Sequence, residues 1–320
     1  MKHDGNLSSV PAKRSARVRS PRHAVRAVGL PCLLGVVLAT ACVGAAPDGT
    51  VDPKSVATYD VARDAFEKGR LRDALSKVDE ALETDPDNAD AAYLGAIVHL
   101  AFCAKDASST DCRFGDAERY AKRALAAQPE MRDAKNTLGV ILVHLERYDD
   151  AIAVLKPLTG DILYASPEKS WGNLGWAYLE KGETDLAIDA LLRSVGAQPT
   201  FCVGNFRLGL AYEKKGDAAA AHAAFTRALE TDRPGCKDLQ EAWEARGRAA
   251  TKLGNLDGAR GDYGACRELS ASSASGRRCD ASLRGLPASS PTPPAPAPPA
   301  PAPPAPAPEP SAAPTPAPKP

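Results

Sequence analysis

The most constraining feature of this chain is the segment Glu168–Pro199, EKSWGNLGWAYLEKGETDLAIDALLRSVGAQP. Counted from Glu168 as position 1, it has Trp171 at 4, Leu174 at 7, Gly175 at 8 and Tyr178 at 11. Gly182 follows at 15, Ala187 at 20 and Pro199 at 32. Small residues at 8 and 20 let two helices approach closely, and large residues at 4, 7, 11 and 24 are expected to fill the space between neighbouring units. Gly182 falls where a left-handed cap ends the first helix. Pro199 ends the second, because it lacks the amide needed to continue. One such hairpin cannot bury its own apolar face, so copies must stack.

Copies are present. The first, from about Ser55, has Ala62, Gly69, Ala74, Ala81 and Pro86 at positions 8, 15, 20, 27 and 32. The second, from Asn88, has Leu94 and Gly95 at 7 and 8. Its second half, Ala117, Ala124 and Pro129, is displaced by ten residues, through an insertion around Cys103–Cys112. The third has Leu138, Gly139, Leu142 and Ala151 in place and runs long through TGDILYASP. Glu168 opens the fourth. The fifth has Leu208, Gly209, Tyr212, Gly216, Ala221, Phe225 and Ala228, and the sixth Trp243, Gly247, Gly254 and Ala259. This spacing resembles the tetratricopeptide repeat, a 34-residue helix–turn–helix unit. The resemblance implies an all-α fold, a superhelical solenoid of about six helix–turn–helix repeats with disordered termini. No stretch of the repeat region alternates with period two, so no sheet is expected.

The ends differ from the middle. Lys13, Arg14, Arg17, Arg19, Arg22 and Arg26 precede the apolar run VGLPCLLGVVLATACV at Val28–Val43. A charged region, a short apolar core and small residues read as a secretory signal over 1–41. The basic stretch is unusually long, which suits a true start downstream of Met1. LATAC resembles a bacterial lipobox, with Ala39 where leucine is usual, and makes Cys42 the lipidated first residue. Ordinary cleavage and retention as an anchor are the alternatives. Val43 after the cysteine, by resemblance to bacterial lipoproteins, favours the periplasmic face of the outer membrane; a soluble periplasmic protein is the alternative. Residues 42–54 then form a linker, 55–270 the solenoid, 271–286 a cap or linker, and 287–320 a proline–alanine tail. The Ser/Ala/Gly content of 271–286 argues against regular structure there. The tail reads as an extended polyproline II spacer, reaching on the order of 100 Å. It is a bland extension, or an arm that threads the cell wall or docks a partner.

The whole chain is balanced, with 40 Lys and Arg against 40 Asp and Glu. Residues 1–41 hold seven Lys or Arg and one Asp, which leaves 33 basic and 39 acidic residues, about six negative charges. That argues against nucleic acid as a partner. Six cysteines remain in an exported chain, and an even number suggests disulfides. Cys103 and Cys112 flank the insertion. Cys202 and Cys236 are 34 residues apart at the starts of consecutive repeats, and Cys266 and Cys279 can tie the C-terminal cap. Buried free thiols are the alternative. With no CxxC and no histidines beside the cysteines, no metal or other cofactor is expected. HExxH, GxSxG and phosphate-loop patterns are absent, and Asp149–Asp150 stand at a helix start, where acids suit the dipole. The chain is not expected to be an enzyme.

In the repeat family, ligands lie along the concave face at first-helix positions 2, 5, 9 and 12. Carried over, these are Asn136, Val140 and Val143 in the third repeat, Trp176 and Leu179 in the fourth, and Val203, Phe206, Leu210 and Glu213 in the fifth. This reads as a largely apolar groove for a peptide of a protein partner. Packing against the superhelix interior or the tail is the alternative. The lysine and asparagine clamp of chaperone-binding members is not expected, because only Asn136 matches it. The lipobox-like start, DILYASPEKSWGNLGWAYLEKG and QPTFCVGNFRLGLAYEKKGD are similar to type IV pilus biogenesis and stability lipoproteins, the pilotins of the pilus secretin. That resemblance spans roughly Cys42–Ser270. It implies a protein anchored through a lipid on Cys42 that binds secretin subunits and aids their assembly. A generic periplasmic scaffold for another envelope or secretion complex is the alternative.

Overall fold

The computed structural model describes residues 50–105 and 108–287. The expected signal segment, the expected lipidation at Cys42 and the tail beyond Pro287 lie outside the described residues. Among those described there are thirteen helices and no strand. The first repeat pairs α1 (Pro53–Glu67) with α2 (Leu71–Thr84), and the second α3 (Ala89–Lys105) with α4 (Phe114–Ala127). Next come α5 (Arg132–His144) with α6 (Tyr148–Leu158) and α7 (Pro167–Lys181) with α8 (Thr184–Ala197). The last two repeats pair α9 (Cys202–Lys215) with α10 (Ala218–Leu229) and α11 (Gln240–Lys252) with α12 (Leu256–Leu269), and α13 (Ala274–Gly285) closes the stack.

Position 8 explains how each pair closes. A methyl group added at Gly209 would stand 2.3 Å from the Phe225 ring, and at Gly95 2.5 Å from Tyr120. Leu155 fills the same space over Gly139, Leu191 over Gly175 and Tyr263 over Gly247. In four of the five the large residue is position 24 of the same repeat, and Tyr120, once the ten-residue insertion is removed, is position 23. The expectation for position 24 is therefore corrected: its side chain packs within the repeat, over the first helix, where the absent Cβ makes room. The first repeat carries the smaller pair Ala62 and Val78, both fully buried.

Position 15 sets the turn. Gly69, Gly182, Gly216 and Gly254 all have positive φ, which glycine adopts without a Cβ clash. Glu146 holds that place in the third repeat at φ 59°, the one non-glycine residue with positive φ among those described. The second repeat has no such turn. Its α3 runs on to Lys105, and a disulfide from Cys103 to Cys112 closes the insertion before α4.

First helices of successive repeats touch one another along the whole series, α1 to α3, α5, α7, α9, α11 and α13. Second helices touch only first helices of their own and the following repeat, apart from α12, which packs on α13. The first-helix row therefore lies on the tighter, inner side of the curve. Buried residues form four clusters along the stack, from Ala62 in α1 to Cys279 in α13.

The segment after Ser270 forms a helix rather than an irregular linker. Ser273 accepts from the Gly276 amide as N-cap. A disulfide joins Cys266 to Cys279, both fully buried. Gln240 donates to the carbonyls of Cys266 and Ser270 and accepts from the Ser273 hydroxyl. Small residues, which have weak helix propensity alone, permit this close packing; a side chain at Gly276 would collide with the Ser270 carbonyl. A third disulfide links Cys202, at the start of α9, to Cys236 in the turn before α11.

A candidate binding groove on the inner helix row

The nine groove residues divide. Val143 and Leu179, 3% and 5% exposed, lie in the hydrophobic core. They are corrected from groove to core residues, because touching first helices close over position 12. Asn136 is also buried, and its Oδ1 accepts from Asn173 Nδ2 at 2.9 Å. Val140, Trp176, Val203, Phe206, Leu210 and Glu213 are half-buried. Phe206 lies 6.0 Å from the Phe225 ring and, with Leu210, packs partly against the core.

The expectation of a largely apolar face is corrected too, because polar side chains bridge the row. Arg207 Nη1 donates to Asn173 Oδ1 at 2.7 Å and to the Gly172 carbonyl at 3.3 Å. Its guanidinium lies 4.4 Å from the centre of the Trp176 ring. Trp176 donates through Nε1 to Glu180 at 3.0 Å and meets His144 edge-on, with ring centres 5.0 Å apart. His144 in turn stacks on Phe114 at 4.4 Å. A ladder of Phe114, His144, Trp176 and Arg207 thus takes one side chain from each of four consecutive repeats, the second to the fifth. Burial pushes the Arg207 guanidinium down to about 10, with Glu180 opposing; the group stays charged at neutral pH. Burial, and then the Arg207 charge, hold the His144 imidazole below its usual value.

Further along, charges answer one another. Arg248 meets Glu213 through Nε at 3.1 Å and Nη2 at 2.9 Å, and Glu244 at 3.3 Å. Glu244 also takes both arms of Arg278 at 2.7 Å, tying α11 to α13. Burial works against the charge of both carboxylates. Arg248 and Lys252 overcome it at Glu213, as do Arg278 and Arg248 at Glu244, so both carboxyls sit below their usual range.

Asn173, Arg207, Glu244 and Arg248 did not emerge from reading positions 2, 5, 9 and 12 of repeats three to five. A signal was there: Asn173 and Arg207 are 34 residues apart, polar residues at one register of consecutive repeats. A separate cleft of about 540 Å³ lies between α2 and the stapled insertion, lined in part by Leu75, Asp79, His99, Phe102 and Arg113. Arg72 and Asp111 pair across it at 2.8 Å. Among the described residues no group of His, Cys, Asp and Glu side chains forms a metal site, and no helix is long and apolar enough to cross a membrane.

Two family profiles, both described as tetratricopeptide repeat, match residues 59–103, 113–158 and 206–272, and residues 168–201. The chain belongs to the tetratricopeptide repeat proteins. Its fold is similar to PilW, a widely conserved type IV pilus biogenesis factor: 20% identity over 71% of this chain and 98% of that one, TM-score 0.58. It is similar to PilF of Pseudomonas aeruginosa at 19% identity, over 71% and 97% of the two chains, TM-score 0.55. A tetratricopeptide repeat protein from Parabacteroides merdae gives 13%, 72%, 83% and 0.56. These likenesses establish the fold. No curated protein matches the chain.

Proposed function

We propose that this chain is an envelope scaffold that binds protein segments on its inner helix row, and that it assists assembly of a type IV pilus secretin from the periplasmic face of the outer membrane. One observation carries the reading: the repeat solenoid spans 98% of a pilus biogenesis factor of the same fold, with a lipobox-like LATAC ahead of it. The lipid on Cys42 would hold the solenoid at the membrane, and the inner row would hold an unassembled subunit by contact alone, with no covalent chemistry.

The test compares heat-resistant secretin multimers in outer membranes of a parent and a deletion strain. Loss of multimers with monomers still present, restored by the intact gene but not by Cys42→Ala, is expected. Unchanged multimers would overturn the role. The near-equal likeness to a tetratricopeptide repeat protein from Parabacteroides merdae shows that this fold is not particular to pilus factors, and the second reading is a periplasmic scaffold for another envelope complex. That reading predicts an intact pilus in the deletion strain.

A further inference from the structure

We infer that Arg207 is a specificity-determining residue that receives an acidic side chain from the middle of a bound partner segment. The inference deepens the proposed groove function and rests on it.

A guanidinium has five N–H donors in a rigid fork. In Arg207 only Nη1 is engaged, by Asn173 and the Gly172 carbonyl. Nε–H and Nη2 have no hydrogen-bond acceptor among the described residues, and Arg207 is only half-buried. That free pair of donors is the edge that grips a carboxylate with two parallel bonds. The group is also held still: Asn136 fixes Asn173, Asn173 fixes Nη1, and the Trp176 ring supports the guanidinium face. A donor edge fixed before binding loses little freedom when a ligand arrives.

The charge pattern identifies the ligand. No carboxylate of the described residues forms an ion pair with Arg207, whereas Arg248, the next arginine along the row, has two. Glu180 acts on Arg207 without salt-bridge contact, and a half-buried cation with no carboxylate in contact attracts an anion from outside more strongly than a paired one does. Leu210 lies half-buried on α9, the helix that carries Arg207, and Val140 half-buried on α5 beyond α7, so apolar residues of the segment can flank the acid. The first-helix row continues on both sides, to α5 and beyond and to α11 and α13. A bound segment therefore passes over Arg207, and the carboxylate comes from a side chain rather than a chain end.

The test uses the expected mature chain without its lipidated Cys42, residues 43–320. A phage-displayed library of random twelve-residue peptides is selected on it and on Arg207→Gln. The best binder is then synthesised with both ends blocked, and titrated while the Trp176 indole N–H is followed by NMR. Selected peptides should carry Asp or Glu at one fixed place between apolar residues. Replacing that acid by its amide should weaken binding about tenfold, with no such loss on Arg207→Gln. Arg207→Lys, which keeps the charge but loses the fork, should recover only part of the difference, and the wild-type comparison of acid against amide needs no variant at all. Peptides that move the Trp176 signal without preferring an acid would overturn the inference and leave the groove reading intact. Peptides that bind without moving Trp176, or no binders at all, would overturn both. Equal binding by an amide peptide with a free C-terminus would assign the site to a chain end and overturn the side-chain inference. Binding that appears only after removal of residues 288–320 would make the chain's own tail the occupant, and would overturn it equally.

Discussion

Arg207 on α9 and Arg248 on α11 occupy the same inner row, one repeat apart, in opposite electrostatic settings. Arg248 lies between Glu213 and Glu244, and Glu244 carries on to Arg278 of the closing helix. Arg207 lies on a tryptophan, held by an amide and a carbonyl, with no ion-pair partner among the described residues. The C-terminal end uses its charges to hold the last helix in place. The centre leaves a charge open. One repeat unit thus serves as a structural joint in one place and, in the proposed reading, as a recognition surface in another, and the side chain facing it from the adjacent first helix decides which.

The largest effect on this contrast comes from Glu244→Ala. It leaves Arg248 and Arg278 without their shared carboxylate, and should cost about 2 kcal/mol after allowing for the solvent that reaches both arginines. Because repeat proteins open locally, hydrogen exchange should show the loss in α11 to α13 first. Acid should act in the same place. Glu213 and Glu244 sit below their usual range in the folded chain. Their contribution is thus present above the unfolded value of about 4.3, and is lost as pH falls through the lower folded values. An acid titration in which α13 loses protection no earlier than α7 would contradict this.

Gly209 lies between Arg207 and Glu213 on α9. Gly209→Ala forces a methyl group into the Phe225 ring and should destabilise by about 2 kcal/mol, readable by urea unfolding. It should disturb the open and the paired arginine together, whereas Glu244→Ala disturbs only the paired one. Glu146→Gly should move stability the other way, by about 1 kcal/mol, because glycine removes the cost of a left-handed backbone at that turn. The smallest stability change, under about 1 kcal/mol, is expected for Arg207→Gln, which gives up two hydrogen bonds and a ring contact but relieves a desolvated charge. Its signature is elsewhere: the His144 pKa should rise by NMR titration, because a nearby positive charge that disfavours imidazolium is gone.

The repeat register was open to sequence reading because its residues are fixed by local geometry. Glycine or alanine at 8, glycine at 15 and alanine at 20 mark a close approach, a left-handed turn and a second close approach, and each leaves its mark at one position. The groove was less open. Trp176 was legible because a large aromatic at position 9 has no part in closing its own hairpin. Val143 and Leu179 were misplaced because position 12 is inner or buried according to how closely the next first helix packs, which no single repeat contains. Arg207 escaped because its role depends on Asn173 and Trp176 in the preceding repeat. The helix at 274–285 escaped because its small residues signal irregularity until Gln240, Cys266 and Ser270 are packed against them.

By itself the sequence determined that this chain is a stack of helical hairpins, where each hairpin begins and turns, and that a cysteine-bearing solenoid stands between a basic, then apolar N-terminal stretch and a proline-rich C-terminal one. The tertiary structure decided which side chains of neighbouring first helices meet, and so which charges are spent on one another and which one faces the groove unpaired. The physical reason is range. Capping, turning and close approach act within one 34-residue unit, whereas burial and electrostatic pairing depend on the distance between units, which only stacking sets.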